Sequence, residues 1–190
     1  MSRTRKTPAT LIEHICWALV ALILATCGSA DNFNVATSAT ATMASGTSPG
    51  TLSSDLGFAA LTSVDLKTNS AFVSQGLSDN DIGTVHVLQL TLTITSPASG
   101  QDFSFLQAVR FYVEAPNVAK AEIASGADFT SGATNVVLNL DNIDLKAYVA
   151  AGTMKITTAA SGTLPGQNTV VEANITFAVD ATTPGLKCYG

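Results

Sequence analysis

The sequence predicts an all-β domain, an immunoglobulin-like β-sandwich of about seven to nine strands with at most one short helical turn. Three observations carry that expectation. Apolar and polar residues alternate at a spacing of two along several segments, which buries one side of each and leaves the other in water. Gly, Pro, Asn, Asp and Ser interrupt those segments every ten to twenty residues or so, as turns require. Beyond the N-terminal apolar run, no stretch sustains the three-to-four spacing of a long amphipathic helix. Strands that are wet on one side, with no helix to cover the other, bury their apolar sides by packing two sheets face to face. A closed β-barrel is the alternative.

The elements follow in chain order. Phe58 to Leu66 and Ala71 to Gln75 are expected as two short strands. Thr84 to Thr95 is stronger: Leu88, Leu90, Leu92 and Ile94 alternate with Gln89, Thr91 and Thr93, while Val85 and Val87 take the opposite parity. That one-residue phase change at Val87-Leu88 predicts a β-bulge. From Asp102 to Glu114, Phe103, Phe105, Val109, Phe111 and Val113 share one parity and Arg110 and Tyr112 the other, with Pro97 and Pro116 as stops. Ala119 to Ala124 is a short strand with Ala121 and Ile123 inward. Val136, Leu138 and Leu140 mark another, and Thr153 to Thr158 carries Met154 and Ile156. Asn142 to Ala151 holds the one helical candidate, a turn capped by Asp144 with Leu145, Tyr148 and Val149 toward the core. Thr169 to Val179 is the clearest strand, with Val171, Ala173, Ile175, Phe177 and Val179 inward and Glu172, Asn174 and Thr176 outward.

The N-terminus has a different character. Met1 to Lys6 is basic, and Ile15 to Ala25 is an uncharged apolar run of eleven residues. These are the n-region and h-region of a secretory signal, and the run is shorter than the roughly 17 residues a bilayer span needs. The run closes on Leu24-Ala25-Thr26-Cys27, which resembles the lipobox of bacterial lipoproteins. Leu24 and Ala25 match the apolar and small positions and Cys27 the acylated cysteine, while Thr26 departs from the usual Gly, Ala or Ser. The resemblance implies cleavage before Cys27, acyl chains such as palmitate on that residue, and, with Gly28 next, the outer membrane or cell surface. The segment Asp102-Phe103-Ser104-Phe105-Leu106, the Tyr112 strand and Asp144-Leu145-Lys146 are loosely similar to uncharacterised lipoproteins of Gram-negative bacteria, a likeness that implies no activity.

The expected organisation is therefore a signal peptide over 1–26, Cys27 with a flexible tether over 27–54, and a β-sandwich over 55–190. Gly28 to Ser54 is built mostly of Ala, Ser, Thr and Gly with one charge, Asp31. Such a tether reaches roughly 30 Å. The alternative is a first strand near Asn32 to Thr42 added to a sheet edge. A conventional signal peptide is the alternative to the lipobox, and Cys27 would then be able to pair with Cys188 in an oxidising compartment.

Composition excludes some partners. Net charge is −5; the leader holds three of the nine basic residues and one of the fourteen acidic ones, so the remainder carries six against thirteen, a net of −7. That balance gives no footprint for nucleic acid or for anionic lipid, so the expected membrane contact is the acyl anchor alone. No catalytic residue is expected. His86 is the one histidine after the leader and sits within a strand, without a Gly-x-Ser-x-Gly elbow or a His/Cys cluster to make a triad or a zinc site. Asp79-Asn80-Asp81-Ile82-Gly83 resembles the start of a calcium loop but lacks the distal acid, leaving Asp79 and Asp81 as weak calcium candidates, with Asp141, Asn142 and Asp144 as a second oxygen cluster. No cofactor beyond the covalent lipid is expected. The expectation is a non-enzymatic structural or interaction module. The alternative is a calcium- or glycan-binding module using loops at one end of the sandwich, and a hydrolase ranks behind both.

Overall fold

The computed structural model describes residues 32–46, 52 and 55–182. The expected signal peptide over 1–26, Cys27 and Cys188 lie outside the described residues. Among the described residues eight strands form two four-stranded sheets whose pairings are all antiparallel. They are β1 (Asn32–Met43), β2 (Ile82–Ser96), β3 (Leu106–Ala115), β4 (Val118–Ala127), β5 (Asn135–Val137), β6 (Asn139–Leu140), β7 (Lys155–Gly162) and β8 (Thr169–Ala181). The first sheet has the order β1-β8-β2-β5 and the second β6-β4-β3-β7. This is an all-β sandwich in which the last strand lies between the first two.

One continuous core fills the space between the sheets. Val171, Ala173, Ile175, Phe177 and Val179 of β8 are each at most 1% exposed, and they meet Val109, Phe111 and Val113 of β3 in the same buried cluster. The parity read for β8 holds along the whole strand. The bulge in β2 falls where the phase change predicts it: the register with β8 shifts between Val87 and Gln89. Val85 and Val87 face in before the shift, Leu90, Leu92 and Ile94 face in after it, and Leu88 is turned out to 55% exposure.

Proline and glycine set the corners. β2 stops at Ser96, directly before Pro97, and β3 turns into β4 through Pro116-Asn117, with Asn117 in the left-handed region at φ 61°. Gly162 closes β7 at φ 149°, where a Cβ would collide with the Phe105 carbonyl oxygen.

Several expectations are corrected. Residues 32–43, placed in the tether, form β1, which pairs with β8 through twelve successive residues from Asn32↔Asp180 to Met43↔Thr169. The domain thus takes in Asn32 rather than starting at residue 55. The physical reason is that a strand of Ala, Thr and Asn has little apolar area of its own but gains a full ladder of backbone hydrogen bonds from a strong partner. Phe58 to Leu66 is not a strand. It forms 3₁₀ turns at Ala59–Thr62 and Leu66–Thr68, with Leu61, Val64 and Leu66 buried. Ala71 to Gln75 lies largely in a one-turn helix, α1 (Ser70–Val73), because the Asn69 side chain accepts from Ala71 N at 2.9 Å and caps it.

The expected Val136–Leu140 strand is split between sheets. β5 pairs with β2, β6 pairs with β4, and buried Leu138 sits at the crossing, its N–H donating to the Leu90 carbonyl at 2.9 Å. The turn expected near Asp144 is α2 (Lys146–Ala150). Two one-turn helices and further 3₁₀ turns at Asp79–Asp81 and Phe103–Phe105 therefore exceed the single helical turn expected.

Candidate functional site

The strand directions divide the sandwich into two ends. β1 begins, β2 begins and β8 finishes at the same end, since Asn32 pairs with Asp180 and Ile82 with Ala181. Asn32 is the fifth residue after Cys27, so the chain between them spans at most about 17 Å. An acyl-anchored chain would hold this end nearest the lipid.

The calcium candidates lie at this end, each engaged with a neighbour. Asp79 makes an ion pair with Lys67 at 3.1 Å. One oxygen of Asp81 accepts from Ser78 N at 2.8 Å and from Ser78 Oγ at 2.6 Å, and these bonds hold its carboxyl below the usual range. Asp144 Oδ1 accepts from Val85 N at 3.0 Å and from Lys146 N at 2.9 Å, pinning the α2 approach beside β2. Among the described residues no three His, Cys, Asp or Glu side chains gather as metal ligands do. His86 is half-buried on the outer side of β2, and its Nδ1 donates to the Ile143 carbonyl at 2.9 Å, which fixes the tautomer.

The opposite end is a cluster of loops tied together by side chains. Asp102 is the hub: its Oδ1 accepts from Ser104 N at 2.9 Å and its Oδ2 from Gly132 N at 2.6 Å, joining the loop before β3 to the loop before β5. The Ser104 hydroxyl bond and these two amides pull its carboxyl down to about 2. Gln167 Nε2 donates to the Gly100 carbonyl at 3.1 Å, and Ser45 N donates to Asn168 Oδ1 at 2.8 Å. Nothing in the spacing of Asp102, Gln101 and Gln167 marks them as neighbours, since 65 or more residues separate the last from the others.

Open grooves lie elsewhere. One of about 270 Å³ runs beside the β3–β4 turn between Thr62, Glu114, Pro116, Lys120 and Lys155. Another of about 250 Å³, more apolar, lies where β1 ends, between Met43, Leu52, Asp55, Leu56 and Leu164.

The outer faces of the two sheets differ in chemistry. On the second sheet, Glu114 pairs with Lys155 at 3.5 Å, Arg110 with Glu122 at 3.8 Å, and the Lys120 ammonium sits 4.8 Å above the Tyr112 ring. Tyr112 partners Lys120 across its ring and also interacts with Arg110, with which it shares a parity. On the first sheet the four strands contain no Lys or Arg, and their acids are Glu172 and Asp180. Its outward rows run Ser38–Asn174–Thr91–Val137 and Thr40–Glu172–Thr93–Asn135. Leu88 and Val137, at 55% and 63% exposure, lie on this face. The sequence parity groups Leu88 with Leu90, Leu92 and Ile94, but at the bulge the structure turns it out; Val137 has no comparable sequence signal.

Compared with known proteins, the chain matches no family model and no curated sequence.

Proposed function

We propose that the chain is an exported lipoprotein, anchored through acyl chains on Cys27 to the outer membrane or cell surface, whose β-sandwich serves as a non-enzymatic structural or interaction module. The observation that carries this reading is the basic leader and apolar eleven-residue run ending in Leu24-Ala25-Thr26-Cys27. Each buried acyl CH₂ contributes about 0.8 kcal/mol, and two or three chains hold a protein to a bilayer where one does not. Metabolic labelling with a fatty-acid probe tests this. Wild type is expected to be labelled and to sediment with membranes, and Cys27→Ser to lose both. Equal absence of label from the two, with the protein in the cytosol, ends the reading.

A second reading, a module binding glycan through end loops, draws on one observation: amides and hydroxyls of Gln101, Ser104, Gln167 and Asn168 gather at the end opposite Asn32. Glycan-array binding lost in Gln101→Ala is its expected outcome. Its calcium variant, at Asp79 and Asp81, requires a calcium-dependent rise in Tm that Asp81→Ala removes.

A further inference from the structure

We propose that Asn174 is a glycosylation site, its carboxamide nitrogen taking an oligosaccharide from a polyprenyl-diphosphate carrier while the chain is exported. Export, part of the function proposed above, is the premise; acylation of Cys27 is not.

The local sequence comes first. The chain has ten asparagines, and Asn174-Ile175-Thr176 is the one Asn-x-Ser/Thr run among them. An asparagine followed two residues later by a hydroxyl, with no proline between, is the acceptor signal for N-linked sugar, and such an acceptor belongs on a surface. The parity of β8 meets that requirement. Ile175 is fully buried, so Asn174 and Thr176 share the outward side, and Asn174 is exposed. Glu172 is outward two positions earlier. Its carboxylate gives a transferase's peptide groove a charge that an arginine can pair with.

The folded face has room for the product. Asn174 lies between Ser38 of β1 and Thr91 of β2, Glu172 between Thr40 and Thr93, and Thr176 between Ala36 and Gln89. All but Gln89 are small, so a first sugar on Asn174 Nδ2 stands off the sheet without displacing a core side chain. Other asparagines are committed to the fold. Asn69 Nδ2 donates to the Ala36 carbonyl at 3.2 Å and its Oδ1 caps α1. Asn135 Nδ2 donates to Thr93 Oγ1 at 2.7 Å, and Asn168 Oδ1 accepts from Ser45 N at 2.8 Å. A sugar on any of those three would disturb a contact within the domain.

Topology sets when the sugar arrives. β8 is paired with β1 on one edge and β2 on the other, and Asn174 has a partner on both sides. A strand closed on both edges cannot enter a transferase's peptide groove, so transfer precedes the insertion of β8. Its partners lie far back in the chain, and such non-local pairings form late, which keeps the acceptor open during export. In the step, Asn174 Nδ2 forms a bond to the anomeric carbon of the carrier's first sugar. The bond from that carbon to the diphosphate oxygen breaks, the diphosphate leaves with the electron pair, and the amide proton passes to a base of the transferase.

The test reads the tryptic peptide 156–187 of the full chain purified from its native cells; that peptide holds Asn174 and excludes Cys27. The expected result is a peptide heavier by whole sugar residues, with fragment masses placing them on Asn174. Asn174→Gln and Thr176→Val should each lose the added mass, and Thr176→Ser should keep it. The Thr176 pair serves alone if Asn174→Gln fails to fold, since valine suits a strand. Glu172→Gln should lower occupancy several-fold, and unchanged occupancy overturns the part given to Glu172. A bare peptide, sugar on another residue, or sugar that survives Thr176→Val overturns the site. Acylation of Cys27 is read from the N-terminal peptide of the same samples. An acylated chain with a bare 156–187 peptide overturns the site and leaves the anchor. A glycosylated peptide from a chain without acyl groups overturns the anchor and leaves the site.

Discussion

On the second sheet the outward side chains include Arg110, Glu114, Lys120, Glu122 and Lys155, whereas on the first the outward side chains of β1, β8, β2 and β5 are mainly Ser, Thr, Asn, Gln and Ala, interrupted by His86, Leu88, Val137, Val170, Glu172 and Asp180. The inner sides of the same sheets are alike: Phe111 and Phe177 are both fully buried. The difference teaches that burial disciplines one side of each strand and leaves the other to be set by what it meets. Interspersed charges suit a face that stays in water and keep its edges from pairing with other chains.

The sharpest way to break this comparison is through the shared interior. Phe177→Ala and Phe111→Ala should each cost about 3–5 kcal/mol in urea unfolding, with similar values on the two sheets. A much smaller loss at either position would show that one sheet contributes little to the core.

The next effect is at the loop hub. Asp102 is ionised far down the pH scale, its carboxyl held at about 2 by Ser104 and Gly132. A carboxylate depressed in the folded state contributes stability that is fully present above its unfolded value near 4 and is lost as pH falls through the folded value near 2. Asp102→Asn should therefore lower Tm at pH 6, and the gap from wild type should close as melting is followed down to pH 2. A gap that is constant with pH would remove the carboxylate from the account.

A smaller change of opposite sign is expected on the outer side of the second sheet. Thr157 Oγ1 is buried with no hydrogen-bond partner, so Thr157→Val should be neutral or stabilising by up to about 1 kcal/mol, read by urea midpoint. Smallest is the charge lattice itself. Lys155 and Glu114 are 52% and 37% exposed, and their pair should be worth no more than about 0.5 kcal/mol in a double-mutant cycle. A larger coupling would mean that the charges hold the fold together and do more than keep the face wet.

Legibility followed side-chain size. β8 was readable because five consecutive inward positions are large or apolar and three outward ones polar, and the β2 bulge because large residues switch parity there. β1 has the same alternation, with Val35, Ala39, Ala41 and Met43 inward, but Ala and Thr occupy both sides and blur it. Phe58, Leu61 and Val64 are spaced by three, a turn-like period that a strand reading passes over. The Asn69 cap of α1 was a local signal available in the sequence and outweighed by the apolar pair Phe72-Val73.

Of the candidate site, the proposed leader and the proposed acylation at Cys27 rest on local sequence alone. The pairing of Asp102 with Gly132, the gathering of Gln101 with Gln167, and the contrast between the outer faces depend on which strands become neighbours. By itself the sequence determined the all-β class, the core side of the strong strands and the closing of the N-terminal apolar run on a cysteine, because periodicity and hydrophobicity act within a few residues. Only the tertiary structure decided that β8 lies between β1 and β2, that residues 135–140 cross from one sheet to the other, and that the uncharged strands share one face. Those outcomes come from pairing between residues far apart in the chain, where a strand is chosen by its partner's edge and not by its own propensity.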